Sequence, residues 1–591
     1  MPRKRLARNI PRSGGEDEPL AQDGAGVPRA RRSCHIAAGV IACIMLYILC
    51  ALSTTHVLWC DDQYSDMSTL MGGENFATHG LIRLRFLPVL YVGAMTDPPS
   101  YYTHYPPLPY VVNGLIQIVG IRSLAVMRVL CGLLCIAGLI GMYLAFAPHV
   151  GPFPAVCGLG FIATTGYFFT YGIGLHQHVY NIFFLGVFLL FFLRGAHADR
   201  APAWWWAVCW AALLLESLTS FEFILWPQAF AWVYVLCAGR IRHCWRQLLL
   251  LATAPVVGVG LHFLQNVWAM GWSWAVADAV DAFRRPGRGP AQDRWAILRR
   301  VPEFVLSHSA RLYYWPWTVL PVLGAVWFVL TGRENDESPS LRKAGPLLLG
   351  AVAGSVTWYL FMPIHTVKHP HTMSQLLPLV MLVMGGTTAV ALEWLLKRGA
   401  NRHQRALSAL ALGVLIYGQT QSVAECFERA ETQRPLTFYL FEALGPDAFD
   451  PKVGVLTNTY ADCQLAYFIR RPVWRSPDVL YPFPESVTTL QSRLPPDWRI
   501  GYYVFDTRGD MEAYPFLART CVGHKVTIPG SKSPHYLIVF DITPLHLPED
   551  QRPKLDPAIQ QKQANGDYPD WNLPGFYQRL TTVLTKHGKL G

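Results

Sequence analysis

Trp59-Cys-Asp-Asp-Gln-Tyr-Ser-Asp66 opens a polar stretch that closes on Tyr101-Tyr-Thr-His-Tyr-Pro-Pro-Leu-Pro-Tyr110, and the whole lies between two hydrophobic segments. Asp61 and Asp62 stand just past the first apolar run. A charge held near hydrocarbon costs several kcal/mol unless it is paired or solvated, so vicinal acids at a membrane exit read as a site. Tyr101, Tyr102, His104, Tyr105 and Tyr110 give the far end of the loop an aromatic wall suited to a sugar ring or a lipid headgroup. Pro98, Pro99, Pro106, Pro107 and Pro109 stiffen it, because proline locks φ and removes a donor.

Working outward, the chain of 591 residues is 52% hydrophobic and 15% charged, with 20 Trp. Apolar runs of about 18–25 residues recur over the first 423 positions, the length that crosses a bilayer as helix. The fold class is a polytopic α-helical membrane protein, and a large soluble protein is excluded. The net charge of +11 sits in clusters between the runs and reads as topology. No basic patch with interleaved aromatics points to nucleic acid.

Residues 1–33 are rich in Arg, Pro, Gly and Ser and are expected to be a disordered basic cytoplasmic tail. Arg29, Arg31 and Arg32 then abut an uncleaved first span at about 35–54, which puts the loop at 55–105 on the extracytoplasmic side. Further spans are expected near 106–121, 123–147, 152–171, 178–194, 202–220, 222–238, 247–269, 312–331, 344–363, 374–396 and 405–423. The basic connectors at 194–200, 239–246, 332–343 and 397–405 face the cytoplasm by charge bias. That bias requires an even number of crossings between the first loop and 171–178, where three are expected, so the true total is 11 or 13. Within the loop, IRLRFLPVLYVG at 82–93 mixes Arg83 and Arg85 with an apolar face and suits an interfacial helix.

Beyond about 424 the pattern changes to short β-branched and aromatic runs, VGVLT at 453–457, IGYYVF at 500–505 and HYLIVFDI at 535–542. Residues 424–591 therefore read as a small soluble extracytoplasmic α/β domain, with a less structured tail after about 545. No nucleotide-binding glycine loop precedes a helix there. Most of the 13 Cys sit in apolar runs as small hydrophobes; Cys463 and Cys521 are a candidate disulfide if this part is extracytoplasmic.

The outer loops share a chemical bias. Asp66 and Glu74 follow the acidic pair and read as a solvated helix face. His176 and His178 precede a span, Glu216 and Glu222 bracket a turn, and His365-Thr-Val-Lys-His-Pro-His371 precedes another span. Lys368 with His365, His369 and His371 suits a phosphate oxyanion, since ammonium and imidazole N–H groups neutralise it at low dielectric. A divalent metal is the alternative occupant of the same cluster, although the His spacing fits no fixed ligand template.

The acidic pair after the first span, YPPLPY at 105–110, HQHVYN at 176–181 and KHPHTMSQLLP at 368–378 resemble, in their order, the GT-C glycosyltransferases. The nearest branch is the protein O-mannosyltransferase, aminoarabinose transferase and RgtA/B/C/D-like group, over about residues 35–423. The resemblance implies transfer of a sugar from a polyprenyl-phosphate donor to an extracytoplasmic lipid, glycan or protein acceptor. It places the catalytic carboxylate on Asp61 or Asp62. Lys368, His365, His369 and His371 would hold the donor phosphate, and Tyr101, Tyr102, His104, Tyr105, Glu222, His176 and His178 would line the substrate. The family often has Asp-Glu where this chain has Asp61-Asp62. The ending HGKLG is no retention signal and favours a bacterial inner membrane, with the site facing the periplasm. A proton-coupled secondary transporter built on Glu216, Glu222 and the histidines is the alternative. A non-catalytic scaffold in envelope assembly is a third.

Overall fold

The computed structural model describes residues 26–55, 63–221, 223–284, 294–314, 340–396, 400–432, 436–459, 461–475, 483–507, 513–527, 536–570 and 575–586. The helices up to the middle of the chain are α1 (Gly26–Thr55), α2 (Gln63–His79), α3 (Leu108–Ile118), α4 (Leu124–Val150), α5 (Pro152–Ala163), α6 (Gly166–Tyr171), α7 (Gln177–His197), α8 (Ala203–Ser217), α9 (Leu225–Cys237) and α10 (Ile241–Met270). They are followed by α11 (Trp272–Arg284), α12 (Arg294–Tyr313), α13 (Ser340–Phe361), α14 (Pro363–Lys368), α15 (Leu377–Leu396) and α16 (Arg402–Thr432). Among the described residues seven helical segments are long and apolar enough to cross a membrane, and three shorter apolar helices accompany them. The span expected at 312–331 lies outside the described residues after Tyr314. The first helix begins at Gly26, inside the stretch expected to be disordered.

Close helix crossings set the architecture, and glycine makes them. A Cβ on Gly138 of α4 would come within 2.4 Å of the Ile182 carbonyl of α7, and one on Gly186 within 2.1 Å of the Gly138 carbonyl. Small residues let backbones approach in this way where water offers no driving force between helices. Gly141 meets Gly186, and farther along the His149 and His197 rings lie 4.6 Å apart, so α4 and α7 run in the same direction. Gly158 of α5 meets Met381 and Gly385 of α15 meets Pro154, so that pair runs antiparallel.

These directions resolve the crossing count. The run expected to span at 106–121 is the 11-residue α3, about 16 Å of helix against about 30 Å of hydrocarbon. Pro106 and Pro107 before it, Pro109 in its first turn and Gly120 after it leave too little helix to cross. The run at 152–171 breaks at Thr164-Thr165 into α5 and α6, with the Thr165 hydroxyl accepting from Phe168 N at the start of α6. Removing α3 leaves α4 and the return through α5 and α6 that the shared direction of α4 and α7 requires, two passes between the first loop and 171–178, the even number that the charge bias requires.

Two further expectations for the loop are corrected. Residues 63–79 form α2, and 82–93 form no helix: a turn at 81–86 passes Arg85 and Phe86 through left-handed backbone (φ 52° and 59°). Pro88 then disfavours helix at Leu87. Leu84, Leu87, Val89, Tyr91 and Val92 are buried while Ile82 and Phe86 are exposed, so most apolar side chains of this stretch face protein.

What they face is the C-terminal region. Its sheet holds β1 (Val453–Thr457), β2 (Val473–Arg475), β3 (Arg499–Asp506), β4 (Val522–Val526) and β5 (Leu537–Asp541) in the order β2-β1-β3-β5-β4. β2, β1 and β3 are parallel, and β5 pairs antiparallel with β3 and β4. The accompanying helices are α17 (Leu436–Leu444), α18 (Asp462–Ile469), α19 (Phe483–Ser492), α20 (Tyr514–Thr520), α21 (Pro557–Ala564) and α22 (Phe576–Lys586). Strand residues alternate between two cores. Val455, Val504 and Val539 share one with Met67, Met71 and Val92; Leu456, Tyr503 and Phe540 share the other with Phe76, Val89, Tyr91 and Tyr110. The first loop thus completes both faces of a distant sheet.

The sheet also explains the cysteines. Cys463 belongs to the first core and Cys521 to the second, and both are free thiols. The disulfide considered between them does not form, because the sheet separates them. The tail after 545 is more ordered than expected: Phe576, Leu580, Val583 and Leu584 put one face of α22 into the first core beside α17.

Replacing Gly186 by Ala forces backbone apart at the α4–α7 crossing and is expected to cost about 1–3 kcal/mol. Gly386→Ala, which meets nothing within 4 Å, serves as control. Thermal melting in detergent should separate the two variants; equal melting would contradict the crossing.

Candidate functional site

Three stretches far apart in sequence meet at one end of the bundle. The coil before α3 brings Tyr102, His104 and Tyr105. The start of α7 brings His176 and His178. Between α13 and α15 the chain makes the six-residue α14, begun by Pro363 and stopped before Pro370, and then a tight helical turn over Pro370–Leu376, which together carry His365, His369 and His371.

The rings form a connected row. Tyr102 and His104 lie 6.2 Å apart, His104 and Tyr105 4.6 Å, and Tyr105 and His176 6.2 Å. His176 and His178 lie 5.8 Å apart, and His178 meets His371 at 4.8 Å. His371 then meets His369 at 5.1 Å and His365 at 5.5 Å, and His365 meets His369 at 4.4 Å. His104 and His369 are exposed, His176 and His178 are buried, so the row runs from solvent through protein and back. Edge and tilted contacts dominate it, the geometry that ring quadrupoles favour.

Polar contacts to backbone hold the row from behind. Tyr313 donates to the Met373 carbonyl at 2.9 Å, and the Gln375 carbonyl accepts from Trp226 Nε1 at 2.9 Å and from Ser355 Oγ at 2.6 Å. Tyr110, a member of the expected aromatic wall, has its hydroxyl 3.5 Å from His176 Nε2, and Tyr171, which was not foreseen, stands 5.0 Å from the His178 ring; both extend the row. For Tyr171, its aromatic neighbours in sequence were the available signal. Tyr101 is not part of the row. It sits near Tyr91 and Arg85, where burial pushes its hydroxyl above the usual phenol range.

Asp61, Asp62 and Glu222 lie outside the described residues, and so does the side chain of Lys368. Asp61 and Asp62 immediately precede α2. That helix lies beside α18 with their starts together: Tyr64 contacts Cys463, and Glu74 pairs with Arg470. The Cys463 thiol, then burial, then Asp462 push the Tyr64 hydroxyl above its usual range.

Asp66 and Glu74 are not the solvated face expected of them. Asp66 is buried and pairs with Arg128 of α4 at 2.9 Å, while its other oxygen accepts from Leu175 N at 2.6 Å. The signal for this pair was Arg128 itself, a lone cation in an apolar run. Glu216, at the end of α8, is fully buried with neither carboxylate oxygen hydrogen-bonded among the described residues. No group of three His, Cys, Asp or Glu among the described residues is arranged to hold a metal ion.

Next to the row lies an apolar groove. A cavity of 420 Å³ opens between Phe86, Pro107, Leu108, Val111, Leu218, Leu261, Leu264, Gln265 and Trp268, two residues along the chain from Tyr105. Arg85 donates to the Trp268 carbonyl and, at 2.7 Å, to that of Ala269, which ties the loop to the end of α10 at the groove's edge.

No protein-family model matches the chain, and no curated protein matches it in sequence. Solved structures do match it. ArnT from Cupriavidus metallidurans bound to undecaprenyl phosphate is 16% identical, covering 89% of this chain and all of that one, with a TM-score of 0.54. The same protein in its apo state gives 17% identity over 88% of this chain and a TM-score of 0.52. The apo Archaeoglobus fulgidus oligosaccharyltransferase is 14% identical over 84% of this chain and 74% of its own, with a TM-score of 0.50. The fold is that of the GT-C membrane glycosyltransferases.

Because the His178 and His371 rings touch, His178→Ala and His371→Ala should not add. A double-mutant cycle on thermal stability is expected to give a coupling of about 0.5 kcal/mol or more, whereas His178→Ala with His524→Ala, far off in β4, should add. Additivity in the first cycle would remove the contact.

Proposed function

We propose that this protein is an integral-membrane glycosyltransferase that moves a sugar from a polyprenyl-phosphate donor to an extracytoplasmic acceptor, a lipid, a glycan or a protein. The observation that carries the reading is the row of phenol and imidazole rings set beside an apolar groove. Aromatic faces and polar ring atoms suit a sugar and a phosphate, and the groove suits a hydrocarbon chain. Undecaprenyl phosphate in the structurally similar ArnT supports a donor of that class.

The reaction is a displacement at the anomeric carbon. An acceptor hydroxyl forms the new C–O bond as the bond from carbon to the phosphate oxygen breaks, and the lipid phosphate leaves with the electron pair. Asp61 or Asp62 takes the hydroxyl proton as general base. Lys368, with His365, His369 and His371, holds the departing phosphate, whose charge grows in the transition state. Tyr102, His104, Tyr105, His176 and His178 line the sugar, and the prenyl chain lies along Leu108, Leu261 and Leu264. A membrane protein is needed because the donor is anchored in lipid.

Glu216 favours one further reading, proton-linked transport, since a buried carboxylate without a hydrogen bond is the kind of group such pathways use. Transfer and transport separate in one assay. Purified protein is offered a panel of radiolabelled polyprenyl-phosphate sugars with total membrane lipid, glycan and protein fractions as acceptors. Label should move in wild type and fall by about 10²–10⁴-fold in Asp61→Asn or Asp62→Asn. A folded protein that moves no label sinks the transferase, and proton-linked uptake in vesicles is then measured with Glu216→Gln beside it.

The groove gives its own expectation. Leu264→Trp fills it and should raise KM for long-chain donors while leaving a short-chain donor of the same sugar nearly unaffected. An equal effect on both donors would take the prenyl chain out of the groove.

A further inference from the structure

We propose that Asp66 and Arg128 are positioning residues that hold the start of α7, with its imidazoles His176 and His178, against the first turn of α2. The inference rests on the transferase reading for its consequence and on geometry for its substance. Asp66 lies in the first turn of α2, four and five positions after Asp62 and Asp61 in sequence. One of its oxygens accepts from Arg128 Nε at 3.1 Å and from a terminal guanidinium nitrogen at 2.9 Å. Its other oxygen accepts from Leu175 N at 2.6 Å, the residue directly before His176. Both side chains of the pair are sealed from solvent, 1% and 2% exposed.

The approach is built for closeness. Gly174 lets the segment reach Asp66, since a Cβ there would stand 3.0 Å from the Asp66 oxygen. His176 then turns to Tyr105 and Tyr110, and His178 to His371. Arg128 is carried in turn by α4, whose glycine crossing brings it close against α7. A carboxylate is the natural residue for this joint: it can serve a guanidinium and a backbone N–H at once through two oxygens.

A purely structural ion pair would act differently. A buried pair replaced by matched uncharged residues often costs no stability, whereas removing one partner strands the other. Two double variants exploit this. Asp66→Asn with Arg128→Gln keeps an acceptor for Leu175 N, and Asp66→Leu with Arg128→Met removes it. Three quantities are read on full-length protein in detergent: the melting temperature, hydrogen exchange of peptides covering 172–178, and turnover of whichever polyprenyl-phosphate sugar the wild type uses.

Both doubles should melt within a few degrees of one another. Exchange over 172–178 should quicken only in the Leu/Met variant. Its kcat should fall about 100-fold, the effect of misplacing a group by about 1 Å, with KM little changed, while the Asn/Gln variant keeps most of its kcat. Equal exchange in the two doubles, or a kcat that follows melting temperature in both, overturns the proposal. A wild type with no turnover overturns the transferase reading instead, and the exchange comparison still decides whether Asp66 holds the segment.

Discussion

Two opposite charges buried together between α2 and α4 are the constraint on which the rest of the arrangement depends. Desolvating a carboxylate and a guanidinium is costly, and the pair survives only because its geometry is good and the remaining oxygen has a donor. Given that anchor, the first loop has a fixed origin. It can then be fastened at its other points, Asn75 to the Val89 and Tyr91 carbonyls at 2.8 and 2.6 Å and Arg85 to the end of α10. A loop held at so many points carries side chains with the precision of a helix.

The row of rings has a related property. Six of its members are histidines, and imidazoles packed this closely repel one another if all are charged. A dianionic or monoanionic phosphate nearby relieves that repulsion, so the row and its proposed ligand favour each other electrostatically.

Much of this was legible. The long apolar runs that became α4, α7, α10 and α15 announce themselves by length, and β1, β3 and β5 by their β-branched and aromatic residues. The order of the aromatic, histidine and lysine segments along the chain pointed to stretches that do converge. The acids at the membrane exit could not be followed, because Asp61 and Asp62 lie outside the described residues. α2 was hidden for a physical reason: QYSDMSTLMGGENFATH has no apolar stripe and two adjacent glycines, which weaken a helix. Those glycines are required by tertiary contact, since a Cβ on Gly72 would come within 2.6 Å of Tyr110 and one on Gly73 within 2.8 Å of Gln117. The apolar side chains at 82–93 were recognised, but sequence could not say that their partner was a sheet rather than lipid. Asp66 looked solvated because its partner, Arg128, is 62 positions away. The spacing of Phe576, Leu580, Val583 and Leu584 was visible and was overshadowed by the prolines around it.

The first loop's part in both cores of the sheet bears on how the chain is made. Leu90 meets Cys463 across 373 positions and Glu74 meets Arg470 across 396. At a synthesis rate of about 5–20 residues per second, the loop waits roughly 20–80 s for its partner to emerge. Throughout that interval Met67, Met71, Phe76 and Tyr91 lack the sheet residues they pack against, and the sheet that arrives later lacks part of its own interior. Biogenesis therefore includes a window in which an unfinished surface must be shielded, and a truncation after α16 would leave that window open for the life of the protein.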